Sequence, residues 1–260
     1  MDFYRFAEQH GLIIRDLVMD RWVRVPTTDK PHKKNGSYIY NGSNGAVQNW
    51  ALHVTPVVWR GDGRADPLLR QRVEKSKLDT IAKQEKAAKK AGWIMNNTRK
   101  DTHPYLAKKG FAEELALCWE KCLVVPMRFD GNLVGCQLID PDGNKKFLYG
   151  QRTKGATATF DNKGRHILCE GYATALSIRR FLKSQKRRYT IHVCFSAGNL
   201  VEIAKKYPDC IIVADNDPTG IRMAKKTGRP YWVSPNIGED FNDYELRVNP
   251  NHTDSLLKLI

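Results

Sequence analysis

The sequence has no run of about 18 apolar residues, so nothing in it is long enough to cross a bilayer as a helix. Its first residues, "MDFYRFAEQHGLIIRD", lack a basic start, an apolar block and a cleavage site, and no signal peptide is expected. The Asn-x-Ser/Thr triplets at Asn41 and Asn251 are then chance matches. There is no G-x-x-x-x-G-K-[ST] stretch, which excludes a P-loop motor from this chain. Internal repeats and low-complexity tails are lacking too. Cysteine is sparse and badly placed for metal: none precedes Cys118, Cys118 and Cys122 lie four apart as on one face of a helix, and Cys136 is alone. No zinc is expected. Cys169, Cys194 and Cys210 sit in apolar runs and read as small core residues. Such cysteine usage fits a reduced, cytoplasmic protein.

Acid is the scarcer charge, with 28 Asp and Glu against 43 Lys and Arg, for a net charge of +15. Residues 60–110 hold 14 of the cations and 6 of the acids, and this bias favours a polyanionic partner, nucleic acid first.

Residues 1–62 read as a basic α+β region: a helix, then short strands and Gly, Asn and Pro turns around the basic "KPHKK". Residues 63–100 read as a basic helical connector. Its helix is expected from Asp66 to Ala91, capped by Asp66, with Pro67 at the first position and Gly92 ending it. Leu68, Leu69, Val73, Leu78 and Ile81 form its one narrow apolar stripe. Residues 101–163 form a β-meander with hairpin turns at Asp130-Gly131 and Asp142-Gly143. In 164–260, "HILCEG", "IHVCFSAG", "CIIVADND" and "PYWVSP" are apolar runs separated by helical stretches. Strands alternating with helices imply an α/β fold: a mainly parallel four-stranded sheet flanked by helices, behind a smaller α+β region.

Ligands of open parallel sheets bind beyond the carboxyl ends of the strands. Glu170 ends the first of these strands, and Asp215 and Asp217 end the third. Residues i and i+2 of an extended chain point the same way, so the aspartates aim together. Three anions in one crevice repel, and a divalent cation with hard oxygen ligands removes the conflict. Asp217 also precedes Pro218 and a helix, so it suits an N-cap, and Glu170 suits a helix dipole. Asp240 and Asp243, with Glu239 and Glu245 nearby, fall at the same edge of the sheet, as a surface turn or as a second acidic pair.

Together, "CEGYATALSI", "SAGNL", "IIVADNDPTG" and "GEDFNDY" resemble the Toprim domain of bacterial-type and phage primases. "HPYLAKKG", "VVPMRFDGNLVGCQLIDPDGNKKF" and "GQRTKGA" look like the segment ahead of that domain in plasmid and phage primases of the TraC or primase–helicase type. The resemblance covers about residues 100–245. It implies that Glu170, Asp215 and Asp217 are catalytic and, with Asp240 and Asp243, hold Mg²⁺ or Mn²⁺, Glu170 being a general acid/base. It also implies nucleotide contacts from cations, for which Arg152, Lys154, Arg128 and Lys145 are the candidates.

Primases of this kind often read template through an N-terminal zinc ribbon, which this sequence lacks. Template contact is therefore expected from Lys30, Lys33 and Lys34 and from Arg70, Arg72, Lys83, Lys86 and Lys90, with Trp22, Tyr38, Tyr40 or Trp50 available for stacking. The resemblance thus implies a DNA primase making short RNA primers from ribonucleoside triphosphates on single-stranded DNA. A separate replicative helicase would unwind for it, in phage or mobile-element replication in a bacterial cytoplasm. A Toprim nuclease and a non-catalytic nucleic-acid-binding accessory protein are the alternatives.

Overall fold

The computed structural model describes residues 2–61, 67–248 and 256, with backbone alone for 67–77. Two compact units divide the chain, residues 1–82 and 83–260.

In the first unit, helix α1 (Phe3–Gln9) begins at Asp2, whose side chain accepts the Arg5 N–H at 2.9 Å. Strands β1 (Val23–Val25), β2 (Gly36–Tyr40), β3 (Asn44–Asn49) and β4 (Val57–Arg60) form an antiparallel sheet in that order. Phe3 packs its ring on Tyr38, Tyr40 and Trp59. A Cβ at Gly45 would collide with that ring, so glycine there lets the helix approach the sheet. Tyr38 is fully buried, its hydroxyl accepting the Val18 N–H at 2.8 Å and donating to the Asp16 carbonyl at 3.1 Å. It is therefore core and not available to stack on bases, contrary to expectation.

Helix α2 (Pro67–Asn96) continues through Gly92 instead of ending there. A mid-helix glycine costs about 1 kcal/mol, and burial beyond it outweighs that. Ala87, Ala91 and Ile94 are buried against Val124 and Cys136 of the following sheet and Leu148 just after it. That is the helix's real packing face. Leu78 and Ile81 of the expected stripe are exposed. Asp66 and the side chains of Leu68, Leu69, Val73, Arg70 and Arg72 lie outside the described residues, as does Asn251.

The second unit holds two sheets. The first runs β5 (Arg99–Asp101), helix α3 (Pro104–Lys108), β6 (Ala116–Trp119), β7 (Cys122–Phe129), β8 (Asn132–Ile139) and β9 (Lys145–Phe147), all strands antiparallel in sequence order. Asp130 and Gly131 both take positive φ between β7 and β8, the left-handed geometry an Asp-Gly hairpin uses. Cys118 and Cys122 belong to adjacent strands joined by a tight turn, not to one helix face. All six cysteines are free thiols.

The second sheet comprises β10 (Ala158–Asp161), β11 (Arg165–Cys169), α4 (Tyr172–Ser184), β12 (Tyr189–Val193), α5 (Ala197–Ala204), β13 (Ile211–Ala214), α6 (Pro218–Thr227), β14 (Tyr231–Val233) and α7 (Phe241–Arg247). Its order is β10-β12-β11-β13-β14. The four expected strands are parallel, and β10 adds an antiparallel fifth on β12. Both faces are covered. Ile167, Ile191 and Val213 pack with Ile178, Phe181 and Phe241, while Leu168, Ile212 and Ala214 pack with Leu200 and Ala224. This explains why β13 reads as a continuous apolar run, and why every residue of β12 is buried, Thr190 and His192 included.

His192 of β12 is buried and shares a proton site with His166 (Nδ1 to Nε2, 2.9 Å), under the stacked ring of Tyr207. Burial, then the neighbouring His166, push its pKa down to about 4. The unfolded chain protonates this imidazole near 6.5, whereas the folded one resists until about 4. Stability is thus lost as pH falls between those values, by roughly 3 kcal/mol. Chemical denaturation at pH 7, 5.5 and 4.5 should show His192→Gln losing less stability on acidification than the parent protein. Equal slopes would exclude this source.

Candidate functional site

In the second sheet the chain passes from β11 to β12 on one side and returns to β13 on the other, and the crevice between β11 and β13 opens at their carboxyl ends. β11 and β13 are paired neighbours, with Leu168 opposite Ile212, so Glu170 falls level with Ala214, one residue before Asp215, and both acids leave the sheet at adjoining strand ends. Three backbone and side-chain bonds then tie this tip to the loop ahead of α7. Asn216 donates its N–H to the Glu239 carbonyl at 3.0 Å and its Nδ2 to the Ser234 carbonyl at 2.8 Å, and Gly238 N–H donates to the Asn216 carbonyl at 2.7 Å. Asp240 is thereby drawn to the same place.

A cavity of about 330 Å³ lies there. Glu170, Asp215 and Asp240 line it, together with Lys109, Lys145 and Gln137. Asp215 Oδ1 is buried with no hydrogen-bond partner. Burial first, then Glu170, Asp240 and Asp217, push the Asp215 pKa up to about 7, against an opposing pull from Lys145. Burial and Asp217 likewise raise that of Glu170, while a hydrogen bond from the Ala197 N–H and Lys145 lower it.

The acidic residues divide by what holds them. Asp217 is exposed and is the N-cap of α6, its Oδ1 accepting from Thr219 N–H at 2.8 Å and Gly220 N–H at 2.6 Å. Asp240 is the N-cap of α7, accepting the Asp243 N–H at 2.9 Å and the Thr174 hydroxyl at 3.3 Å. Asp243 closes the capping box and pairs with Lys109 at 3.0 Å, outside the cavity lining. Glu239 is structural: Arg247 grips it through two bonds and Ser234 donates to it, which holds its pKa down to about 2. Glu245 is buried against Arg180.

Among the described residues, no three His, Cys, Asp or Glu side chains form a ready-made metal cage. Mg²⁺, however, is held by one or two carboxylates and keeps its waters. The orphaned Asp215 oxygen beside further carboxylates fits such an ion.

Of the basic residues, Lys145 lines the cavity. Arg152 and Lys154 do not: Arg152 lies 3.3 Å over the Phe129 ring, and Lys154 is 3.8 Å from Glu202. Arg128 bonds the Gly131 carbonyl and lines a different cavity with Pro126 and Tyr172. Lys30, Lys33 and Lys34 are exposed in the β1–β2 connection of the first unit, and Lys83, Lys86 and Lys90 are exposed on α2. Lys109, Tyr105, Gln137 and Thr174 are site residues that sequence reasoning left without a role. The only sign of two of them was their place in "HPYLAKKG".

Asn199 links the basic loop to the acidic strand ends. Its Oδ1 accepts the Gly155 N–H at 2.7 Å, and its Nδ2 donates to the carbonyls of Ala156 and Cys194 at 2.8 Å each.

The family model described as a Toprim domain matches residues 165–249. Solved structures similar to the chain include the primase fragment of the bacteriophage T7 primase-helicase protein, at 18% identity, covering 63% of this chain and 74% of that one, with a TM-score of 0.43. A DnaG catalytic core is 11% identical over 74% of each chain, with a TM-score of 0.40. A DNA primase domain from Pseudomonas aeruginosa is 13% identical, covering 75% of this chain and 59% of that one, with a TM-score of 0.39.

Two outcomes are expected. Asp215→Asn mimics the protonated acid, so in EDTA at pH 8 the variant should be the more stable by roughly 2–4 kcal/mol. The folded pKa exceeds the unfolded one, so this gain should vanish towards pH 4, and a loss of stability at pH 8 would contradict it. Asn199→Ala should speed tryptic cleavage after Arg152 and Lys154, whereas unchanged cleavage would mean that other contacts hold the loop. By its matched sequence and its strand order, the segment from residue 165 to 249 is a Toprim domain.

Proposed function

We propose that the protein is a DNA primase, making short RNA primers on single-stranded DNA from ribonucleoside triphosphates. The observation that carries this reading is one cavity bounded by Glu170, Asp215 and Asp240 and by Lys109 and Lys145. A triphosphate needs a cation to meet the carboxylates and positive side chains for its remaining charge, and both sets border the same space. The chain's net charge of +15 suits a nucleic-acid partner.

Asp215 and Asp217 would hold Mg²⁺ or Mn²⁺, with Asp240 nearby. When bound, such an ion neutralises phosphate oxygens and makes a hydroxyl more acidic. Lys145 and Lys109 would bind and orient the phosphate chain. Glu170 Oε, with its raised pKa, would take the proton of the primer 3′-hydroxyl as its oxygen bonds the α-phosphorus and pyrophosphate leaves. Arg152 and Lys154 would reach nucleotide only by leaving Phe129 and Glu202.

Incubation with single-stranded DNA, labelled ribonucleotides and Mg²⁺ or Mn²⁺ should give oligoribonucleotides. Asp215→Ala should lower their yield by at least about a hundredfold, the scale of removing a key electrostatic group. Shortened DNA instead would identify a nuclease, and binding without either product a non-catalytic accessory protein.

A further inference from the structure

The four-stranded sheet of the first unit has two unlike faces. Its inner face carries Tyr38, Val47 and Val25 under helix α1. Its outer face carries side chains that register across the strands: Arg24 opposite Ser37, Ser37 opposite Gln48, and Ala46 opposite Val58. Strands β1 to β4 contain two arginines, Arg24 and Arg60, and no Asp or Glu.

The most ordered feature of this face is a cation–aromatic pair. The Arg24 guanidinium lies 4.0 Å over the ring of Trp50. Its Nε and one terminal nitrogen both donate to the Lys34 carbonyl, at 3.1 and 2.7 Å. Two bonds to one oxygen fix the plane of the guanidinium, so the stack is held in place before anything binds. Trp50 remains 42% exposed, and Trp22, two residues before Arg24, is 49% exposed. Lys33 and Lys34 are exposed at the same edge.

Large apolar side chains at a surface mark an interaction site when they cluster. The chemistry around these ones selects the partner. A protein or lipid surface would use aliphatic area. Leu52, Val54 and Val58 expose some in this unit, but the part held in place is planar, flanked by cations, and accompanied by the neutral donor–acceptor side chains of Gln48 and Asn44. Flat rings and guanidinium planes stack on unpaired bases, and lysines track phosphates. The bases of a duplex are already stacked on one another and have no face to offer.

We infer that the Arg24–Trp50 stack and the Lys33–Lys34 edge form a docking platform for single-stranded DNA in the first unit. The choice of DNA over RNA rests on the primase reading above. The platform itself does not, because it shares no residue with the acidic cavity.

The test is the binding of fluorescein-labelled oligo-dT to the full chain, read by anisotropy across a range of salt. Trp50→Ala removes the ring and Arg24→Glu reverses the fixed charge. Both positions are exposed, and circular dichroism confirms folding of each variant. Each should weaken binding about five- to a hundredfold, the range of losing one stacked base. Lys33→Glu with Lys34→Glu should weaken binding and flatten its dependence on salt by about 0.7 in log–log slope for each phosphate left without its lysine.

Oligo-dT binding unchanged in the folded variants would overturn the platform. So would the absence of binding by the parent protein, or a Trp50→Ala effect on self-association alone. Tighter binding of oligo-rU than of oligo-dT would overturn the assignment to DNA. Synthesis abolished by Asp215→Ala while the Trp50 and Arg24 variants bind normally would leave the primase reading standing and remove the platform. Loss of binding in those variants, in a protein that makes no primers, would do the reverse.

Discussion

Asp215 has a buried oxygen without a hydrogen-bond partner, and its nearest ionisable neighbours are mostly other acids. The second unit is organised around keeping this unfavourable group in place. A chain selected for stability alone would bury an apolar residue at the tip of β13 or give the carboxylate a cation. Here the partially opposing charge is Lys145, which lowers the pKa less than burial and the neighbouring acids raise it. An uncompensated anion at the mouth of a parallel sheet is a debt that only a bound cation, or a proton, discharges.

The fixing of the other carboxylates follows the same logic. Glu170 accepts from the Ala197 N–H, Asp217 from two helix N–H groups, and Asp240 from an N–H and a threonine hydroxyl. Every one of these donors is neutral. A neutral donor orients a carboxylate without cancelling its charge, whereas an arginine would do both. Asp243, Glu239 and Glu245 are paired with Lys109, Arg247 and Arg180. Two populations of acid thus surround this site: one paired with cations and structural, the other oriented by neutral donors alone. The second population is the one gathered at the strand ends.

Much of this was legible in the sequence because it follows from period and order. Four apolar runs separated by helical segments imply a parallel sheet with Glu170 and Asp215 at its carboxyl edge, and the structure adds that their strands are neighbours. What was not legible came from tertiary burial. Gly92 looked like a helix stop because glycine is a poor helix former, but the buried Ile94 sits just beyond it and carries the helix on. Strand β10 is only four residues long and antiparallel at an edge, so the alternation of Ala158, Thr159, Phe160 and Asp161 is too short to stand out. Tyr38 resembled the exposed aromatics around it, and only the packing of Phe3 against it separates core from surface. Lys109 lies far along the chain from Asp243, and nothing local announces a pair that α7 and the end of α3 bring together.

The two readings that Asp217 allowed, a helix cap or a member of the acidic site, prove compatible on geometric grounds. A Cβ at Gly220 would collide with the Asp215 carbonyl oxygen, so glycine allows the first turn of α6 to settle directly on the tip of β13. In that position the Thr219 and Gly220 N–H groups both point to one oxygen of Asp217. The cap therefore occupies Oδ1 and fixes the side chain, while Oδ2 keeps its share of the charge. Replacing Asp217 by Asn would preserve an oxygen for the cap and delete the negative charge. The fold should then tolerate the change while any role in cation binding would not, which separates the two duties of one residue.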